Sequence, residues 1–306
     1  MGRYVIRRLL QMVPVVIGST FLIFAMVFAL GDPTAGRCGE RACPAAYVAK
    51  FKAEYHLDDP LVVQYGYYMS RVVQGDLGTN YSGTKVSEEL AARYPTTLKL
   101  ALIAVAFEMV IGLVAGVLAG IRKGRFIDSF VLVSTLFVIS IPIFVIGSLL
   151  QLTLGLKLGL FPVTATQGTW GQLILPGFVL GTLSIAYVAR LTRTNLVENL
   201  RADYVRTAKA KGLRPSRIIG VHTLRNSLIP VVTFIGADFG SLLGGAIVTE
   251  RIFNIQGVGG FLFTGIRNRD PVNVVGTVTI LVLVFLLVNL IVDLLYGVLD
   301  PRISHD

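Results

Sequence analysis

The chain has 306 residues, of which 54% are hydrophobic and only 15% charged, and its formal net charge is +10. A water-soluble globular domain could not hide this much apolar surface, so the composition excludes that class of protein. The basic residues lie beside long apolar runs, which indicates membrane topology and lipid contact and not nucleic-acid binding.

The first apolar run covers residues 9–30 and follows Arg3, Arg7 and Arg8. It is long enough for a membrane helix, and it ends at Gly31-Asp32-Pro33 and not at a small-residue cleavage site. We therefore predict that residues 1–30 form a cytoplasmic N-terminus and an uncleaved first membrane helix.

A polar insertion, residues 31–95, separates the first two apolar runs, and its acids nearly balance its bases. We predict that it is extracytoplasmic, with helices over 47–55 and 61–73, where apolar residues recur every three or four positions. It contains Cys38 and Cys43, which are too few ligands for a structural zinc site. A small disulfide loop and two free thiols both remain open.

The second predicted membrane helix, residues 96–121, carries one stripe of small residues. Gly112, Gly116 and Gly120 recur at every fourth position, a spacing that permits close helix contact. Glu108 lies on the same stripe. A carboxylate at membrane depth is costly, so Glu108 is either part of a translocation path or a protonated or paired packing residue.

Four more membrane helices are predicted downstream, and together the six indicate an all-α integral membrane protein. The third is interrupted at Ser140-Ile141-Pro142, and the fifth carries Asp238, the second candidate for the translocation path, with a buried structural contact as the alternative. We predict that both termini are cytoplasmic. The four ranges are 129–152, 173–191, 228–248 and 272–298.

The stretch between the fourth and fifth helices is strongly basic. It should stay cytoplasmic, and its signals predict two short helices: Asp203 as an N-cap, Gly212 as the residue that ends the first helix, and Pro215 in the first turn of the second. Val205 and Ala208, with Lys209 or Tyr204, would form a docking face. Because polar helices of this kind have no core of their own, we predict that they rest on a soluble partner. A basic loop held at anionic lipid headgroups is the alternative.

This stretch resembles the coupling loop of ABC importer permeases, and more narrowly the B-type permease subunit of dipeptide and oligopeptide importers. The resemblance implies that this loop contacts an ATPase subunit. The residues that carry it are Asp203, Tyr204, Val205, Arg206, Thr207, Ala208, Lys209, Ala210, Lys211, Gly212 and Leu213. Leu224-Arg225-Asn226 and Ile229-Pro230 extend it. Arg206-Thr207-Ala208 stands where the general importer pattern has Glu-Ala-Ala, and the distance from Gly212 to Pro230 is longer, as in the peptide branch.

The resemblance implies the type I ABC importer permease fold: six transmembrane helices, a helical extracytoplasmic insertion between the first two, and a core domain over 96–306 that contains the coupling loop at 192–228. It also implies a location in the bacterial or archaeal cytoplasmic membrane. The implied partners are a second, homologous permease subunit, one or two ABC ATPase subunits and an extracytoplasmic substrate-binding protein. ATP and Mg would be bound by the ATPase subunits, and no cofactor by this chain.

The sequence offers no catalytic constellation. It contains no Walker motif and no His-Glu-x-x-His, and its three histidines, His56, His222 and His305, fall on different segments. We therefore predict a non-enzymatic permease that imports dipeptides or oligopeptides. The alternative is a secondary carrier that uses Glu108 and Asp238 as proton or ion sites.

Overall fold

The chain is described by a computed structural model over residues 2–29, 34–38 and 43–299. Helices account for most of these residues, and extended pairing among them is limited to one bridge between Thr79 and Lys85. The helices are α1 Gly2–Phe28, α2 Ala35–Cys38, α3 Ala45–Tyr55, α4 Leu61–Val73, α5 Val86–Phe107, α6 Leu113–Ile121, α7 Phe126–Ser140, α8 Ile143–Leu150, α9 Trp170–Asn199, α10 Asp203–Ala210, α11 Pro215–Arg217, α12 Leu224–Gly245, α13 Ile247–Ile252, α14 Val258–Arg267 and α15 Pro271–Leu299. Short π-helical segments join some of them at Glu108–Gly112, Gln151–Lys157 and Ile218–Thr223.

Among the described residues, five single helices are long and apolar enough to cross a bilayer. The predicted third membrane helix is a pair of helical segments, Phe126–Ser140 with Ile143–Lys157, bent by 101°. The five are Val5–Phe28, Val86–Ile121, Trp170–Asn199, Pro215–Gly244 and Pro271–Leu294. The all-α prediction is therefore confirmed. The predicted end of the first membrane helix at Gly31-Asp32-Pro33 lies outside the described residues, and so do residues 300–306.

The predicted interruption of the third membrane helix is a sharp bend and not a mild kink. Ile141 has an extended backbone, with φ −101° and ψ 127°, and Pro142 follows at φ −57° and ψ 138°. The proline ring disfavours helical geometry in the residue before it, and proline has no N–H for the helical ladder. The chain therefore changes direction between Ser140 and Ile143.

The second membrane helix begins ten residues earlier than predicted. Val86 opens it, and Pro95 lies inside it and not before it. Glu88 and Glu89 occupy its first turn, where negative charge is favourable. From Val86 to Ile121 the helix is 36 residues long, or about 54 Å, against the roughly 30 Å of a hydrocarbon core. The last residues of the predicted polar insertion are thus the first turns of this helix.

The described residues form two compact units, one within 1–97 and 254–306 and the other within 98–253. In the first unit, the predicted insertion helices are confirmed as α3 and α4. Tyr68 in α4 shares a 2.7 Å hydrogen bond with Thr279 in α15, and Tyr65 shares one of 2.8 Å with Thr20 in α1. Burial raises the pKa of Tyr68 to about 12. These bonds attach the insertion to the membrane helices of this unit.

The structure joins Cys38 and Cys43 by a disulfide, with their Cα atoms 5.4 Å apart. Of the two alternatives that the sequence left open, the structure therefore contains the bonded one. The bond closes a short loop next to α2, and no other thiol exists in the chain.

In the second unit, the other helices pack on α9. The closest of these helix contacts occur at glycines, which have no side chain to keep the backbones apart. A side chain added at Gly116 would lie 2.5 Å from the carbonyl oxygen of Ala189, and one at Gly181 would lie 2.8 Å from that of Ala104. Gly112 and Gly120 meet α9 as closely, at Val188 and Leu196. The glycine stripe predicted from the sequence is therefore a helix-contact surface.

Candidate functional site

The predicted coupling helix is α10, and it starts one residue earlier than predicted. Ala202, with an extended ψ of 153°, is the N-cap, and Asp203 is the first helical residue and makes no capping bond. The prediction that Asp203 caps the helix was therefore wrong. Its carboxylate still lies at the helix N-terminus, where the helix dipole favours negative charge. Its ion pair with Arg206, at 3.4 Å, is almost fully exposed and adds little stability.

Gly212 ends α10 as predicted. Its φ is +72°, a left-handed conformation that residues with a side chain rarely adopt. Its N–H donates to the carbonyl of Lys209 at 2.9 Å, and the N–H of Leu213 donates to that of Ala208 at 3.2 Å. These two bonds form a Schellman motif, which satisfies helix-end carbonyls and reverses the chain direction.

Pro215 begins the next helix, as predicted, but that helix is not short. Its N-cap is Arg214, and the helix continues through the π-helical segment into α12, giving one membrane-length helix, Pro215–Gly244. Likewise α9 extends to Asn199. The predicted loop over 192–228 is therefore reduced to α10 and its two connections. Short connections thus join α10 to the ends of two membrane-length helices.

The prediction that Val205 and Ala208 form a docking face was wrong. Val205 is fully buried and Ala208 nearly so, and both pack on Ile218 and Leu213. The hairpin therefore has a small core of its own, which fixes α10 against the start of the following helix. The surface of α10 and its C-terminal end that remains exposed consists of Asp203, Tyr204, Arg206, Thr207, Lys209, Ala210, Lys211 and Gly212.

An ion pair that the sequence did not reveal attaches α9 to the start of α7. Arg193 donates from Nε to Asp128 Oδ1 at 2.7 Å and from Nη2 to Oδ2 at 2.8 Å. The N–H of Gly124 also donates to Asp128 Oδ2 at 2.8 Å. The Asp128 side chain is only 4% exposed. The sequence shows Arg193 only as one of many basic residues in this stretch. No local sequence pattern links it to an acid 65 positions away.

We expect Arg193→Ala to destabilise the protein by about 3–5 kcal/mol, because Asp128 would remain as a buried charge without a cation. A thermal unfolding midpoint of the purified protein measures this loss. Arg190→Ala is the matched control, since Arg190 is exposed one turn earlier on the same helix. Adding Asp128→Asn to Arg193→Ala should restore part of the stability, because no buried charge then remains. Equal losses for Arg190→Ala and Arg193→Ala would contradict this role.

The two candidate path residues have different environments. Glu108 is completely buried inside this chain, within a π-helical segment, whereas Asp238 on α12 is partly exposed. The two carboxylates are near enough to interact electrostatically. Ser184 on α9, which the sequence analysis did not single out, donates to Asp238 Oδ2 at 2.6 Å. Ser184 and Asp238 are thus hydrogen-bonded across α9 and α12, and the buried Glu108 lies within electrostatic range of Asp238.

Comparison with known proteins gives matches over nearly the whole chain. Residues 112–305 match the model of the binding-protein-dependent transport system inner membrane component family, and residues 1–101 match that of the corresponding N-terminal membrane component. The chain is 38% identical to the dipeptide transport system permease protein DppB of Escherichia coli K12, covering 100% of this chain and 99% of that protein. It is 38% identical to the di/tripeptide transport system permease protein DppB of Pseudomonas aeruginosa UCBPP-PA14, covering 99% and 98%. It is also 38% identical to the glutathione transport system permease protein GsiC of Salmonella typhimurium LT2, over all of both chains.

Proposed function

The chain belongs to the family of binding-protein-dependent transport system inner membrane components, and we propose that it is the permease subunit of an ATP-driven importer of small peptides. The peptide cargo is inferred from relatives named for dipeptides, di- and tripeptides and glutathione, itself a tripeptide. Glutathione and the dipeptides share a peptide bond, a free ammonium group and a carboxylate. Short peptides with free termini are therefore the class of cargo to test first.

One observation carries the coupling role: α10 is held on its own small core and is continuous, within a few residues, with two membrane-length helices. Its exposed face would bind a cleft of the ATPase subunit. When ATP draws two ATPase subunits together, α10 would move as a rigid body and shift α9 and α12 with it. ATP can drive this change only if it stabilises one conformation more than the other.

The proposed assembly contains this chain, a second and homologous permease subunit, one or two ABC ATPase subunits and an extracytoplasmic substrate-binding protein. ATP and Mg would be bound by the ATPase subunits. The path for the cargo would lie between the two permease subunits. Asp238, which is partly exposed on this chain alone, would then lie beside the path, and Glu108 would support it from inside the chain.

Reconstitution in lipid vesicles tests this function. The chain would be combined with its permease partner, candidate ATPase subunits and the binding protein, and uptake of a labelled dipeptide would be measured. We expect uptake that requires ATP and the binding protein, and none in vesicles that contain an ATPase variant unable to hydrolyse ATP. Uptake driven by an imposed proton gradient, without ATPase subunits, would instead support a secondary carrier.

We propose that both termini and α10 are cytoplasmic, and cysteine labelling in cells tests this topology. Ser216→Cys, at the start of the long helix after α10, should resist an impermeant thiol reagent added from outside. Ser82→Cys, in the insertion, should react with it. Both serines are exposed, and the native cysteines are joined in a disulfide, so each variant offers one accessible thiol. Labelling at position 216 in intact cells would contradict the orientation.

A further inference from the structure

Glu108 is the most unusual polar residue of the second unit. Its side chain is completely buried, and neither carboxylate oxygen has a hydrogen-bond partner among the described residues. It lies inside the membrane-length helix Val86–Ile121, at the first position of a π-helical segment. Single π-helical turns within α-helices occur often at functional sites. A buried carboxyl group with no partner therefore requires an explanation of its charge.

Asp238 makes a charged Glu108 still less favourable. Asp238 lies near enough to act on Glu108 electrostatically, and neither acid forms an ion pair with a lysine or arginine of the described residues. Two carboxylates that share a low-dielectric site cannot both be ionised cheaply, so one of them normally keeps a proton. The absence of a cation thus points to a single negative charge for the pair.

The hydrogen bonds decide which of the two acids carries that proton. Ser184 donates its hydroxyl proton to Asp238 Oδ2 at 2.6 Å, and a donated hydrogen bond stabilises the ionised form of a carboxyl group. Asp238 is also partly exposed. Glu108 has neither advantage, because it is fully enclosed and accepts no hydrogen bond from the described residues.

We propose that Glu108 and Asp238 form a proton-binding site within the helix bundle, with one proton held on Glu108 and the negative charge on Asp238. The pair then has one negative charge and not two when these helices move during transport. The proposal concerns this chain alone and does not depend on the cargo or on the ATPase partner.

Infrared difference spectroscopy of the full chain in lipid vesicles at neutral pH tests the site. We expect a protonated carboxylic C=O band that shifts when glutamate is labelled with carbon-13, is unchanged by labelled aspartate, and disappears in Glu108→Gln. The band should persist in Asp238→Asn, where the proton remains on Glu108. The isotope labels require no substitution and assign the band to a glutamate; Glu250, the other fully buried glutamate of the described residues, is the matched control, and Glu250→Gln should leave the band unchanged. The proposal would be overturned if no glutamate-sensitive band appeared, or if that band persisted in folded Glu108→Gln.

Discussion

Replacing Gly212 by valine is expected to reduce peptide uptake by about tenfold while ATP hydrolysis by the assembled transporter continues. A residue with a side chain in the left-handed conformation costs about 1–2 kcal/mol, and about 1.4 kcal/mol corresponds to a tenfold change in an equilibrium. A Cβ at Gly212 would meet nothing within 4 Å, so the cost arises from the backbone alone. The chain can relieve this strain only by breaking the two hydrogen bonds that fix the end of α10.

Gly212→Pro should have a larger effect than Gly212→Val. Proline fixes φ near −65° and has no N–H, so the native φ of +72° and the bond to the Lys209 carbonyl are both lost. We expect a folded protein in which ATP hydrolysis no longer drives uptake. Hydrolysis and uptake should be measured on the same vesicles, because the ratio between them reports coupling.

Two control variants separate coupling from general strain. Gly159→Val introduces the same kind of strain, at φ +63° and with equally open space, but lies between α8 and α9 and far along the chain from the coupling segment. It should leave uptake per hydrolysed ATP unchanged. Gly212→Asn should retain most of the uptake, because asparagine tolerates the left-handed conformation. Full uptake by Gly212→Pro would contradict the role assigned to α10.

Features set by local chemistry could be predicted from the sequence. Gly212 adopts the left-handed conformation that glycine tolerates, and Pro215 lies in a first helical turn, where its missing N–H costs nothing. The apolar runs correspond to five membrane-length helices and the bent pair. The helices of the insertion follow from apolar periodicity. At the start of α10, the same local reasoning chose Asp203, the better capping residue. The chain instead becomes helical one residue earlier, directly after Ala202, so that Asp203 is already the first helical residue.

Features that depend on long-range packing could not be predicted. The burial of Val205 depends on Ile218, which packs on it only once Gly212 has reversed the chain. The pairing of Asp128 with Arg193 depends on how α7 and α9 lie together. The sequence identifies Glu108 as a carboxylate at membrane depth. It does not show that Ser184 donates to Asp238, or that Glu108 has no hydrogen-bond donor among the described residues. Charge identifies such residues, and only the fold assigns their partners.

Gly116→Leu is expected to abolish stable folding of the second unit, the largest effect on stability predicted for this protein. Even a Cβ at this position would lie 2.5 Å from the Ala189 carbonyl oxygen and 2.6 Å from Thr192 Cβ. Because one of these neighbours is backbone, the clash cannot be relieved by a change of rotamer, and α6 and α9 would have to separate. Overpacking a core typically costs about 1–3 kcal/mol, and a leucine pressed against a helix backbone should exceed that range.

The thermal unfolding midpoint and the yield of monodisperse protein in detergent measure this effect. Gly116→Ala should already lower the midpoint, since its single methyl group meets the same carbonyl oxygen. Gly18→Leu is the matched control: Gly18 also lies within a membrane-length helix, α1, but a Cβ there would meet nothing within 4 Å. This control should behave like the unaltered protein. If Gly116→Leu did so too, α6 and α9 could not be in direct backbone contact, and the packing of the whole second unit would have to be different.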